Sequence, residues 1–223
     1  MVQITERRVL NLSNEEILLK LKNSVMDYDE ETAKEAAKEA LEAGIDPYDA
    51  IKNGLYPGLK EIANQYEETI YITDMILACD AFYAGANILK SSIDPAKAKE
   101  NRKGVAVIGV VEGDIHDLGK NMVKYLMEAE GFEVLDLGFN VKADRFIEEA
   151  EKSNADLILI SLMLSSMFPE IGKIVNLAKE KGLKAKIMAG GGPVSEGVAQ
   201  KYGADGWALT GPLAVEKALD LLK

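Results

Sequence analysis

Near residue 100 the hydrophobic pattern of this 223-residue chain changes period, and no other feature restricts the fold as much. From Gly104 to Val110 the sequence reads GVAVIGV, an unbroken apolar run rich in β-branched residues. Such a run suits a strand buried on both faces, as in a parallel sheet covered by helices. Short runs of the same kind return at Glu133–Leu137, Asp156–Ile160, Ala185–Ala189 and Gly206–Thr210. Helical stretches follow them at Leu118–Glu130, Ala143–Ser153, Pro169–Lys181, Ser195–Tyr202 and Leu213–Leu222. Strands alternating with helices of that length imply right-handed βαβ crossovers. The pattern predicts an α/β domain over residues 104–223. It is a doubly wound, flavodoxin/Rossmann-like five-stranded parallel sheet, which takes ligands at the carboxyl ends of its strands.

Residues 1–93 carry no strand pattern. Ser13, with Glu16 three places on, forms a capping-box signature ahead of Ile17, Leu18, Leu21 and Val25. Asp29 opens a second helix, rich in Ala and Glu, that Gly44 stops. Asp46-Pro47 starts a third, with apolar positions at Ile51, Leu55, Leu59, Ile62 and Ala63. Pro57-Gly58 should kink or split it, because proline removes a backbone donor and clashes with the preceding turn. Thr73 begins the fourth. Four helices on short connections predict an antiparallel four-helix bundle over 1–93, joined by a charged linker at 94–103.

Composition narrows the chemistry. One cysteine, Cys79, and one histidine, His116, exclude an internal disulfide framework, a multi-Cys zinc site and a histidine cluster. Cys79 sits on an apolar helical segment and reads as a buried structural thiol rather than a reactive one. A net charge of −11 disfavours nucleic acid and anionic membrane as partners. Apolar runs such as Ala155–Met163 fall short of a membrane span, and MVQITERRVL lacks the apolar core of a secretory signal. The expected setting is cytoplasmic.

The loops after the first, third and fourth strands should share one rim. They are Val111–Asn121, Ser161–Met167 and Gly190–Ser195. Taken singly, each has an ordinary reading: a surface histidine, a glycine turn, a serine helix cap. Neither the dinucleotide fingerprint nor the P-loop pattern occurs in them. Taken together they admit a sharper one. Asp114 lies two residues before His116, a spacing that in an extended loop lets its carboxylate take the proton of one ring nitrogen. The other nitrogen is then left, with raised basicity, for a metal. A single protein ligand holds a bare metal poorly but can complete the axial position of one held by a macrocycle. Gly119, Gly190, Gly191 and Gly192 would let something bulky pass close to the backbone, with Ser161 and Ser165 supplying hydroxyls.

These residues resemble the cobalamin-binding domains of methionine synthase and of methanogen and acetogen corrinoid proteins. Asp114-Ile115-His116-Asp117-Leu118-Gly119 matches their D-x-H-x-x-G signature, extended by Lys120-Asn121. The Ser161 loop matches their S-x-L region with Met163 in place of leucine, Gly190-Gly191 matches their paired glycines, and Tyr66–Phe82 resembles their helical cap. The resemblance implies a cobalamin cofactor with His116 as lower cobalt ligand and Asp114 as its hydrogen-bond partner. Asp117, Gly119, Ser161, Met163, Ser165 and Gly190–Gly192 would contact the cofactor and its buried nucleotide tail. Met167 takes the place of a serine that extends the histidine relay in methionine synthase. The relay should therefore stop at Asp114 or run to water, unless Ser166 substitutes.

The bundle should cover the reactive face of the corrin and swing aside about the linker. Met75, Ala78 and Phe82, with Tyr71 before them, would either touch the corrin or simply fill the bundle core. The resemblance further implies a methyl carrier working between a substrate-specific methyltransferase and an acceptor methyltransferase, served by a reductive activation protein. The alternatives are a cobalamin-binding sensor or storage module without methyl transfer, a mutase subunit, and a flavin or phosphate domain.

Overall fold

The computed structural model describes residues 12–65, 71–93 and 102–223, the Ile72 side chain excepted. Most of the 94–103 linker, and part of the Tyr66–Phe82 stretch, lie outside the described residues.

Helix α1 (Asn14–Met26) starts at the Ser13–Glu16 capping box, and α2 (Glu30–Glu42) starts at Asp29, whose side chain accepts the Thr32 N–H. The third helical stretch is split, as Pro57 requires. A short α3 (Pro47–Ala50) runs into a π-helical turn, Ile51–Leu55, before α4 (Tyr56–Gln65) resumes with Pro57 in its first turn. A wide turn directly upstream absorbs the ladder bond that the proline nitrogen does not make. Gly58 then lets α4 lie against α1. A Cβ there would come within 2.5 Å of the Lys22 carbonyl oxygen. Helix α5 (Ile72–Lys90) begins one residue ahead of the expected Thr73, with the Asp74 carboxylate accepting the Tyr71 N–H.

The second unit follows the predicted alternation. Strands β1 (Val105–Val110), β2 (Glu133–Asp136), β3 (Leu157–Ser161), β4 (Lys186–Gly190) and β5 (Gly206–Trp207) form one parallel sheet in the order β2-β1-β3-β4-β5. Every residue of β1 is buried, as the unbroken apolar run demands. The last strand is two residues long rather than the five expected, and the chain leaves the sheet after Trp207. The helices are α6 (Leu118–Glu130), α7 (Ala143–Ser153), α8 (Phe168–Glu180), α9 (Glu196–Lys201) and α10 (Gly211–Leu221).

Two cores result. One sheet face packs Val107, Ile158 and Ile187 against Phe146, Ile171 and Ile174. The other joins Ala106, Ile108 and Leu159 to Met122 and Leu126 of α6 and runs on into Leu55, Leu59 and Phe82 of the bundle. The bundle is thus docked on the α6–α10 side. Tyr83 donates to Glu128 at 3.1 Å, Lys90 pairs with the same carboxylate at 2.9 Å, and the Tyr83 and Tyr125 rings meet edge to face at 4.3 Å. Lys103 pairs with Glu130, and Arg102 with Glu133, at the start of the α/β unit.

Met75, Ala78 and Phe82 lie in this shared core, at 1%, 0% and 0% exposure. They fill the bundle and present nothing to a ligand in this arrangement; of the four residues weighed for that role only Tyr71 is exposed. Helical periodicity marks a buried face without saying what buries it, which is why the sequence left both readings open. Cys79 is buried too, and burial pushes its thiol up to about 12.

Candidate functional site at the carboxyl ends of the strands

In the order 2-1-3-4-5 the chain reverses direction between β1 and β3, and ligands of such sheets bind at that point. The register brings the three expected loops together there. Val110 pairs with Ser161, and Ser161 with Gly190, so the last residues of β1, β3 and β4 stand side by side.

The loop out of β1 is mostly exposed between two buried anchors, Val111 and Lys120, with Asp114 the one buried residue between them. Asp114 holds the loop by itself. One carboxylate oxygen, Oδ1, accepts the His116 N–H at 3.0 Å and lies 2.6 Å from His116 Nδ1. The other, Oδ2, accepts the Met163 N–H from the β3 loop at 2.5 Å. Burial pushes the Asp114 pKa up, but the donors of His116 and Met163 outweigh it and hold the carboxyl below its usual range. An ionised Asp114 fixes the proton on Nδ1 and leaves Nε2 as the lone-pair nitrogen. The His116 side chain is 56% exposed, whereas that of Asp114 is fully buried. The arrangement presents one oriented imidazole nitrogen to whatever occupies the rim.

The other expected residues fall on the same rim. Asp117 is the residue preceding α6 and accepts the Asn121 side-chain amide at 3.2 Å rather than capping the helix. Gly119 and Gly190 each face open space: apart from their own chain neighbours and helix backbone, no atom of the described residues comes within 4 Å of where a Cβ would stand. Gly191 has a different reason to be glycine: its φ is +114°, and a Cβ would fall 1.8 Å from the Leu162 carbonyl oxygen. Gly192 lies under the Met163 sulfur. Ser161 ends β3 half-buried, and Ser165 is exposed at the start of a 3₁₀ turn, Ser165–Met167. Met167 packs its methyl group over Gly113, so the Asp114 carboxylate ends on a main-chain donor and a side-chain relay stops there.

Two contributors escaped the sequence reading. Lys120 is buried, and its ammonium lies 2.6 Å from Asp136 at the end of β2. Asn140, in the loop after β2, accepts the Gly113 N–H on Oδ1 at 2.8 Å and donates its own N–H to the Asp114 carbonyl at 3.0 Å. A helix-surface lysine and a turn asparagine look ordinary in sequence, and their partners lie 16 and 27 positions away.

Around His116 the rim leaves apolar side chains uncovered. Ile115, Leu118, Phe139, Met163 and Leu209 are between 48% and 68% exposed, Leu118 at the start of α6 and the others on the loops after β1, β2, β3 and β5. Large apolar side chains gathered at one end of a sheet mark a surface that a ligand or partner covers. Among the described residues no three His, Cys, Asp or Glu side chains gather to hold a metal ion, so a metal at His116 would bring its other ligands with it. One free imidazole nitrogen, open space at two glycines and an apolar collar fit a large metal-bearing macrocycle.

Fold and rim together define a carrier of a bulky prosthetic group, bound at the switch point of a doubly wound sheet. Residues 104–219 match the B12 binding domain family, and residues 17–90 match a second family of the same description that covers the bundle. Trimethylamine corrinoid protein 2 of Methanosarcina acetivorans is 36% identical over 94% of this chain and 98% of its own length. A corrinoid protein of Desulfitobacterium hafniense is 35% identical over 92% of this chain and 97% of its own. Among solved structures, a cobalamin-binding protein from D. hafniense superimposes with a TM-score of 0.72 at 29% identity, covering 89% of this chain and 95% of that one. The methanol:cobalamin methyltransferase complex of Methanosarcina barkeri shares the fold, with a TM-score of 0.73 at 24% identity, over 100% of this chain and 91% of that one. The chain belongs to the B12-binding corrinoid proteins, and its cofactor is cobalamin.

Proposed function

We propose that this protein is the methyl carrier of a corrinoid-dependent methyltransferase system, with His116 as the lower cobalt ligand. The observation that carries the reading is the 2.6 Å contact of His116 Nδ1 with a fully buried Asp114, which leaves Nε2 for the metal. A bound corrinoid supplies cobalt able to take up a methyl group and give it away again. Everything else is done by the chain. Asp114 keeps the imidazole proton on Nδ1, so the ligating nitrogen is neutral and its ring is aimed. The Met163 N–H holds Asp114 ionised and in place. Gly119, Gly190, Gly191 and Gly192, with Asp117, Ser161, Met163 and Ser165 beside them, line the path of the nucleotide tail. Ile115, Leu118 and Phe139 supply the apolar collar that keeps water from the corrin edge.

A methyl carrier requires partners of two kinds, a substrate-specific methyltransferase and an acceptor methyltransferase. A reductive activation protein would complete the set. The units are a cap, residues 1–93, a linker, 94–103, and a cobalamin domain, 104–223.

The decisive variant is His116→Ala, loaded with hydroxocobalamin. It should still take up the corrinoid, through the tail path, but lose the absorption bands of the histidine-ligated form. An unchanged spectrum would remove His116 from the cobalt. For carriage, the reduced, loaded protein is mixed with a methylamine methyltransferase and its substrate; absence of any methylated-corrinoid spectrum with every methyl donor tried would refute the carrier role.

A further inference from the structure

The His116 loop is long, exposed and short of apolar anchors, yet it must hold an imidazole steady. The last residue of β2 and the loop after it meet it on both sides of the histidine. Upstream, the Asn140 side chain accepts the Gly113 N–H at 2.8 Å, and the Asn140 N–H donates to the Asp114 carbonyl at 3.0 Å. Downstream, Asp136 Oδ1 accepts the Lys120 ammonium at 2.6 Å, four residues past His116, and also accepts the Gly138 N–H at 2.9 Å. Gly138 and Asn140 both have positive φ, 81° and 55°, which curls the segment back toward β1. Asparagine tolerates that conformation better than most side chains and carries a short acceptor, so one residue serves both needs.

We infer that Asn140 is a positioning residue for the cobalt ligand, acting through the peptide groups of Gly113 and Asp114. This inference rests on the reading of His116 as that ligand. Without the Asn140 acceptor the Gly113 end of the loop is free to shift. Asp114 shifts with it, and the imidazole no longer stays over one point of the rim. The Asn140 side chain is exposed and outside both cores, so its loss acts on this geometry and not on the packing of the sheet.

The test uses the full chain, uniformly labelled with nitrogen-15, loaded with unlabelled hydroxocobalamin and reduced to the cobalt(II) state, whose electron paramagnetic resonance shows a nitrogen-15 doublet only when a protein nitrogen is the axial ligand; the cofactor's own benzimidazole would give a triplet. Asn140→Gly keeps the backbone donor and the left-handed conformation while deleting the acceptor. Asn140→Ala deletes the acceptor and strains the turn, and Asn140→Asp keeps an acceptor. The unligated fraction should rise about fivefold in Asn140→Gly and Asn140→Ala, the effect of one lost hydrogen bond, and return toward wild type in Asn140→Asp. An unligated fraction unchanged in Asn140→Gly, or raised as much in Asn140→Asp as in Asn140→Ala, overturns the inference. His116→Ala run in parallel separates the two levels. A nitrogen-15 doublet that survives in His116→Ala refutes the ligand assignment itself. A doublet lost there but unchanged in Asn140→Gly refutes the role of Asn140 alone.

Discussion

Removing the Asp136 carboxylate should cost this protein more than removing the lysine it holds. The Lys120 side chain is 1% exposed, its ammonium 2.6 Å from Asp136, while the Asp136 side chain keeps 22% exposure and has a second cation, Lys124, at 3.2 Å. In Asp136→Ala the Lys120 ammonium is stranded where water does not reach. Stripping one partner from a buried pair costs roughly 3–5 kcal/mol, and the partial exposure of Asp136 argues for the lower end, about 3 kcal/mol. In Lys120→Met the packed stem is replaced and no cation remains to be stranded. Asp136 still accepts from Gly138 and Lys124, so the loss should be near that of one hydrogen bond, about 1 kcal/mol.

Urea unfolding of the cofactor-free protein at pH 7 reads the difference, and adding Lys120→Met to Asp136→Ala should recover stability. The pH dependence has a definite sign. Burial raises the Asp136 pKa, but the Lys120 hydrogen bond, the Gly138 N–H and the neighbouring positive charges bring it below its ordinary value. A group depressed in the folded state stabilises above its unfolded pKa, about 3.9, and that contribution is lost as pH falls through the folded value. The gap between wild type and Asp136→Ala should therefore be full at pH 7 and close as the medium is acidified below about pH 4. Equal losses in the two single variants, or a double variant no better than Asp136→Ala, would refute the idea of a buried charge dependent on its partner.

The glycines of the rim should separate by purpose. Gly191→Ala forces a Cβ into the Leu162 carbonyl at a φ of +114° and should lower the unfolding free energy of the cofactor-free protein, read by urea, by several kcal/mol. Gly119→Ala meets only open space, so it should leave that free energy unchanged or raise it by up to about 1 kcal/mol while weakening cobalamin uptake in a spectral titration. Cys79, with its thiol pushed up to about 12 by burial, should resist iodoacetamide at pH 8 in the folded protein and react promptly in urea. Tyr83→Phe removes the donor to Glu128 where the bundle meets α6, and should raise proteolysis between the two units without altering the far-ultraviolet circular dichroism.

Much of this was legible beforehand because burial on two faces leaves an unmistakable pattern. GVAVIGV could hardly be anything but a central strand, and α6 and α7 span the expected Leu118–Glu130 and Ala143–Ser153, each ending on a left-handed residue, Gly131 and Asn154. The Asp114–His116 contact was readable too, since two residues of extended loop leave little freedom. What escaped reading depends on distance along the chain. Lys120 occupies a helix position like any surface lysine, and only the arrival of Asp136 makes it a buried ion. Asn140 is a turn residue until the β1 loop is laid beside it. The early end of β5 has no counterpart in the apolar content of Gly206–Thr210.

The second oxygen of Asp114 is satisfied by the amide of Met163 and not by any side chain. A main-chain donor survives nearly every point substitution, since all residues but proline bring the same N–H to that place. The acidity of Asp114 is to that extent insulated from mutational drift at position 163. Altering it takes a change in where the β3 loop lies, and so calls for an insertion, a deletion or a proline in place of a simple exchange.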